Sequence, residues 1–339
     1  MLRKAIVFTQ INKAELIEEP FCMEPVAGKV IVKTAFSTLS SGTERANLTG
    51  DLNVSPGERQ TVAKFPRRGG YSTSGVVIKV SEGVTSVVPG DRVAMIHTTH
   101  SAYLEVPEKN IYKLDDGISL QEAAIWHIAT FPLAAIRKCR LEIGESAIVM
   151  GLGILGMMAV KLLRAAGAVP LIAVDPVPEK REEALRLGAD YALDPFDPEF
   201  AKKVKGITDG GVHVAIEVTG NGKALDMVLD CMAPFGRVAL LGCTRNADFT
   251  IDYYRKVHAP GITLVGAHTN ARPQVESSPG MWTTIDDIKA LQKLVLAGRL
   301  DFASMVAEIH APQDAPEVYT RLAGEKAFPL VQFDWRDMK

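Results

Sequence analysis

Through the first ~120 positions apolar and polar residues alternate with the two-residue period of half-buried strands. The runs "KAIVF", "GKVIVKTAFSTLS", "GVVIKV", "DRVAMI" and "AYLEV" are short, β-type and divided by Gly, Pro and polar turns. At Ser119 the character changes. "SLQEAAIWHIATFPLAAIRKC" opens with Ser119 and places Glu122 three residues later, a capping box that predicts an apolar helix.

From Ser146 the period switches back and forth between strand and helix. "SAIVM" predicts a buried strand, "LGMMAVKLLRAAG" a helix closed by Gly167, "PLIAVD" a second strand and "PEKREEALRLGA" a second helix. "HVAIEV", "RVALLG" and "ITLVGA" are further apolar runs, separated by helical stretches such as "GKALDMVLDCM". Such alternation implies an α/β domain with a doubly wound parallel sheet. The tail is mixed, with a helix over "TIDDIKALQKLVLAG", a helical "EVYTRLAG" and the apolar strand "FPLVQF".

Length then sets the scale, because 339 residues exceed what one compact core usually holds and two domains are expected. With 47% hydrophobic and 23% charged residues the chain reads as an ordinary globular protein, and no apolar run is long enough to span a membrane. A formal net charge of -2 without a basic block argues against nucleic acid as a partner. The start "MLRKAIVFTQ" reads directly into a strand, and Cys22, Cys139, Cys231 and Cys243 stand far apart, so reduced thiols in the cytoplasm are expected.

The strongest motif is Gly151, Gly153 and Gly156 between a strand and a helix. The first glycine permits the tight turn, the second lets backbone approach a pyrophosphate, and the third lets helix pack on strand. The backbone of Ile154 and Leu155 begins that helix, whose positive end attracts phosphate. Asp175 ends the following strand, where a carboxylate accepts hydrogen bonds from a ribose and repels a 2'-phosphate. This predicts NAD as cofactor, with Lys180 and Arg181 leaving room for NADP. Thr219–Gly220 and Gly242–Cys243 follow strand ends, where such sheets bind ligands.

With these motifs the chain resembles the medium-chain dehydrogenase/reductase family. The resemblance rests on "GDRV" (Gly90–Val93), "EAA" (Glu122–Ala124), "GLGILG" (Gly151–Gly156), "LGAD" (Leu187–Asp190), "EVTG" (Glu217–Gly220) and "GRVALLG" (Gly236–Gly242). It implies a Rossmann dinucleotide-binding domain over 128–270, inserted into a barrel-like, strand-rich catalytic domain formed by 1–127 and completed by 271–339. It also implies an active site in the cleft and a homodimer or homotetramer pairing through "GITLVGA".

The departures from the family are informative. Its catalytic zinc positions fall on Ser41, on Tyr71 followed by Ser72, and on or beside His127, which is not a normal zinc set. The structural zinc lobe is replaced by the short "AMIHTTHSAY". A zinc-free branch is therefore expected. His97 and His100, three residues apart, lack Cys or carboxylate companions at ligand spacing. The resemblance places His97 in the substrate pocket as a base or hydroxyl-orienting donor; for both histidines the plain alternative is a polar loop residue.

The resulting scheme has His97 or His127 as proton acceptor, Tyr71 and Thr43 hydrogen-bonding the reacting oxygen, and Glu44 orienting its neighbours. Ser41 and Ser72 are small polar substrate contacts. In the long loop "GAHTNARPQVESSPGMWTT", His268, Arg272 and Trp282 are candidates to reach a small-molecule substrate, Trp282 offering a flat face to a sugar-like ring. The expected activity is oxidation of a secondary hydroxyl on a polyol, sugar derivative or cyclic alcohol. Two alternatives stand beside it: a reductase of enones or quinones, and a non-enzymatic dinucleotide-binding protein.

Overall fold

The computed structural model describes residues 1–54, 57, 60–246 and 249–338. The chain divides into two compact units, Met1–Ile128 with Ile288–Lys339, and Ala129–Asp287. The second crossing thus lies at 287/288 and not at 270/271. The cause is the loop after residue 270, which is fastened inside the second unit. Arg272 donates to the Thr130 carbonyl at 3.0 Å, to Thr284 Oγ1 at 2.9 Å and to Asp287 Oδ2 at 2.8 Å.

In the first unit the hairpin Leu2–Gln10 and Lys13–Pro20 adds the short strand Arg67–Arg68. A larger sheet runs Glu308–His310, Val331–Asp334, Lys29–Thr38, Ser72–Val80, Arg92–Ile96 and Ile111–Lys113, with Tyr103–Pro107 also paired to Lys29–Thr38. The C-terminal strand Val331–Asp334 joins Lys29–Thr38 antiparallel, Phe333 opposite Ser37, so the tail completes this unit. Strand Lys29–Thr38 is buried over nearly its whole length, the polar Thr34, Ser37 and Thr38 included. Its Val30 and Val32 pack with Val77, Val93, Met95, Leu104 and Val106.

In the second unit six parallel strands lie in the order Tyr191–Leu193, Leu171–Val174, Ala147–Met150, Val212–Glu217, Met232–Leu240, Thr263–Gly266. Chain order reverses beside Ala147–Met150, and ligands bind at such a switch point, beyond the carboxyl ends of the strands. Ile148, Ile172, Val174, Ala215 and Val238 form the sheet's contribution to the core. Helix Ile154–Ala166 ends at Gly167 with φ +89, the left-handed cap that glycine supplies without strain.

The apolar segment after Ser119 is two helices, Leu120–Ala123 and Trp126–Lys138. Ser119 Oγ accepts from Glu122 N at 3.0 Å, as the capping motif requires. The Glu122 carboxylate instead accepts from Trp126 Nε1 and from the backbone N–H groups of Phe302 and Ala303. Burial pushes its pKa up, against the pull of these donors.

Candidate active site

In the second unit the glycine turn has the geometry its spacing predicts. Gly151 has φ +99, and a Cβ on Gly156 would lie 1.9 Å from the Gly151 carbonyl oxygen. Ile154 is therefore the first residue of a helix that starts directly against the strand end. Asp175 is buried; its Oδ2 accepts from Leu152 N at 2.9 Å and its Oδ1 from Val177 N at 3.0 Å. Lys180 Nζ stands 3.8 Å from the same carboxylate. Arg181 donates to the Asp175 and Pro176 carbonyls, at 2.7 and 2.9 Å.

Beyond the ends of the neighbouring strands lies a cavity of about 530 Å³ whose lining includes Thr219, Gly220, Lys223, Cys243 and Arg245. Gly242 and Gly220 let the backbones meet there, since a Cβ on Gly242 would lie 2.2 Å from Gly220 N. Thr219 and Gly220 donate backbone N–H groups to Glu217, whose carboxyl is nevertheless pushed up by burial. These residues fit a dinucleotide: a phosphate approach over glycine, a helix N-terminus, and a carboxylate beside the turn.

In the first unit the fold brings Tyr71, His97 and His127 together. His127 is 3% exposed, and its Nδ1 lies 2.8 Å from the Tyr71 carbonyl oxygen. A carbonyl only accepts, so Nδ1 carries a proton, and Nε2 is the buried nitrogen on the other side of the ring. The Tyr71 ring meets His127 edge-on at 5.5 Å between centroids, and the His97 ring does so at 4.8 Å. His97 is exposed and left-handed, φ +55, a conformation that is uncommon outside glycine. The Tyr71 hydroxyl donates to Ser40 Oγ.

Ser41 and Thr43 are half-buried in the first turn of helix Ser41–Leu48. Ser72, expected here as a substrate contact, does other work, whereas Glu44 orients its neighbours as expected. Ser72 is buried, with its hydroxyl donated to the Ala124 carbonyl at 2.7 Å, so it is a packing contact and not a substrate contact. Glu44 is 1% exposed and touches no open space: Oε1 accepts from Ser40 N at 2.8 Å, while Oε2 accepts from the Tyr319 hydroxyl and from His100 Nε2 at 3.1 Å.

His100, in turn, lies in the loop between strands Arg92–Ile96 and Tyr103–Pro107 but is no surface residue. It is fully buried, with Nδ1 2.7 Å from Ser37 Oγ, which also accepts from Trp335 Nε1 at 2.8 Å. The chain of donors closes if Ser37 donates to Nδ1 and Nε2–H donates to Glu44. Gly69 and Gly70 lie against this network, for a Cβ on either would come 2.7 Å from Glu44 Oε2 or His100 N. Burial and the Glu44 carboxylate together push the Tyr319 hydroxyl pKa well up.

The loop candidates are also reassigned. Arg272 is a buried structural ion-pair partner of Asp287, which Arg137 Nε reaches as well, at 2.7 Å. Trp282 already has a cation on its ring, the Arg137 guanidinium at 3.6 Å, so that face is not free for a sugar. His268 is exposed, its Nδ1 accepting from Asn270 N at 3.2 Å.

The residues at the positions where the resemblance puts zinc ligands are not an ordinary zinc donor set. Among the described residues no three His, Cys, Asp or Glu side chains come together to hold a metal ion. At the expected positions stand a serine, a tyrosine whose hydroxyl binds another serine, and one histidine already tied through Nδ1.

Comparison with known proteins follows the same outline. The family model for zinc-binding dehydrogenases matches residues 155–286. L-threonine 3-dehydrogenase of Pyrococcus horikoshii is 29% identical, over 75% of this chain and 79% of that protein. (R,R)-butanediol dehydrogenase of Bacillus subtilis is 30% identical, over 61% of this chain and 67% of that protein. The chain belongs to the zinc-binding dehydrogenase family. This medium-chain dehydrogenase is thus an oxidoreductase whose relatives oxidise alcohols. Its fold matches that of an alcohol dehydrogenase from Escherichia coli CFT073 solved with NADH, at a TM-score of 0.83, with 17% identity over 98% of this chain and 99% of that one.

Proposed function

We propose that this medium-chain dehydrogenase oxidises a secondary hydroxyl of a polyol, sugar derivative or cyclic alcohol with NAD, and that it does so without zinc. The observation that carries the reading is the His127 ring, held through its Nδ1–H by the Tyr71 carbonyl and contacted edge-on by His97 and Tyr71. It stands where the family resemblance places a metal ligand. NAD, when bound, supplies the hydride acceptor.

His127 Nε2 takes the hydroxyl proton as the carbinol carbon loses hydride, leaving a ketone and an imidazolium. The Tyr71 hydroxyl donates its hydrogen bond to Ser40 Oγ, which fixes the phenol ring beside His127 as a wall that positions the substrate. His127 is buried and needs a route for the proton; exposed His97, 4.8 Å away between ring centroids, passes it to water. Asp175, held by the glycine turn, supports NAD over NADP. Small-molecule substrate and homo-oligomer belong to the same reading; the edge strand Thr263–Gly266 is largely exposed in the single chain and suits pairing with a second copy. A cytoplasmic setting accords with four free cysteines and, among the described residues, no helix long and apolar enough to cross a membrane.

The test is NADH absorbance in chelator-treated buffer. NAD is offered with polyols, glycosides and cyclic alcohols, then NADH with enones and quinones. NADH appearing with a hydroxylated substrate supports the proposal. NADH consumed only by enones or quinones would replace it with the reductase reading, and no turnover in either direction would favour a binding protein.

A further inference from the structure

A second cavity, of about 290 Å³, lies wholly in the first unit and shares His97 with the catalytic cluster. Its other walls include Arg3, Phe21, Thr99, Glu105 and Val106. The charges on these walls are already matched. Arg3 donates to Glu19 Oε1 through Nε at 3.0 Å and Nη2 at 2.8 Å, and to the Tyr103 carbonyl through Nη1 at 2.7 Å. Glu105 accepts from Val26 N through Oε1 and from Lys29 Nζ through Oε2, both at 2.9 Å. Thr99 Oγ1 lies 3.0 Å from Ser101 Oγ.

Such walls discriminate by charge. A phosphate or carboxylate needs an uncompensated Arg or Lys fork, and the Arg3 charge is already paired with Glu19, with an N–H of each of its three nitrogens engaged. A neutral ligand finds oxygen lone pairs on Glu105 and Thr99 held in fixed positions by those same bonds. Phe21, with Arg3 4.5 Å from its ring centroid, and buried Val106 supply an apolar side. A ligand with hydroxyls on its rim and C–H groups on its face matches both sides. The volume is at the small end for ligand sites and suits one six-membered ring.

We propose that this cavity is a subsite for a second, neutral hydroxylated ring of the substrate. The inference rests on the dehydrogenase reading: the reacting carbinol sits at His127 and Tyr71, and the remainder of the substrate extends past His97 into the Arg3–Phe21–Thr99 cavity. The substrate class is then a glycoside or ring-bearing polyol, not a two- to four-carbon alcohol. His97 does double duty, closing the cavity on one side and facing His127 on the other.

The experiment compares kcat/KM for a panel of methyl hexopyranosides and disaccharides with kcat/KM for 2,3-butanediol. It uses the full chain and two variants, Thr99→Tyr to fill the cavity and Phe21→Leu to remove its ring wall. The wild type should prefer a glycoside, and each variant should lower the glycoside-to-butanediol ratio about tenfold or more, the scale of losing a shaped contact or hydrogen bond. A wild type that prefers butanediol, or variants that leave the ratio unchanged, would overturn the subsite and leave alcohol oxidation standing. If neither substrate class yields NADH, the dehydrogenase reading fails, and calorimetric titration with the same glycosides decides the cavity alone. Binding weakened by Thr99→Tyr would support it, and absence of binding would reject it.

Discussion

Glu44→Gln is a small change with a large expected effect. The Glu44 carboxylate, 1% exposed, receives donors from Ser40 N, His100 Nε2 and the Tyr319 hydroxyl. An amide of the same shape keeps one acceptor oxygen and turns an NH₂ toward at least one of those donors. One buried donor then loses its partner, at a cost of about 1–3 kcal/mol, and the remaining bonds lose their charge assistance. The first unit should lose about 2–3 kcal/mol in all. For a unit of this size that corresponds to a fall in Tm of about 5–10 °C. The assay is thermal unfolding followed by tryptophan fluorescence, because Trp335 donates to Ser37 within the same network. NADH affinity serves as the reference, since the dinucleotide residues lie in the other unit. A Tm within about 1 °C of wild type would refute the reasoning, for the network would then not hold Ser40 and Tyr71 in place.

Three further outcomes follow from individual groups. Cys22 and Cys243 are exposed, whereas burial pushes the Cys139 and Cys231 thiols up to about 12; mass spectrometry after alkylation at neutral pH should find only the first pair labelled, with NADH slowing Cys243 because that residue lines the strand-end cavity. Asp175→Ser removes the carboxylate beside the glycine turn and leaves Lys180 close by, so the NADP-to-NAD ratio of kcat/KM should rise about 100-fold; an unchanged ratio would take Asp175 out of cofactor choice. Arg321, and then His310, hold the Glu308 carboxyl down to about 2 from an ordinary 4.5. Its contribution is fully present above the unfolded pKa and is lost as pH falls toward about 2; after solvent screening Glu308→Gln should flatten acid destabilisation over that window by about 1 kcal/mol, and an unaltered acid limb in denaturant titrations at several pH values would contradict it.

How legible each part was in the chain depended on how far apart its partners lie. The glycine turn at Gly151–Gly156 and Asp175 could be read directly, because strand, turn and helix are one continuous segment and the steric demand is local. The clustering of Tyr71, His97 and His127 was reached only through the family's order of motifs. His100 was out of reach: its burial depends on Ser37, Glu44, Tyr319 and Trp335, which the sheet gathers from both ends of the chain. Arg272 and Trp282 looked like surface-loop ligands because Asp287 and Arg137, which claim them, carry no local signal. Glu122 showed half of its role, a backbone N–H capped by Ser119, and hid its carboxylate bonds to residues 302 and 303.

The most direct measurement sets turnover against bound zinc. Protein preparations spanning a range of metal content, each assayed by elemental analysis, would be given NAD and the best hydroxylated substrate. If His127 and its neighbours have taken over the metal's work, turnover stays constant as zinc per protomer falls toward zero, and added zinc brings no gain. Turnover rising in proportion to bound zinc, and vanishing without it, would contradict that chemistry.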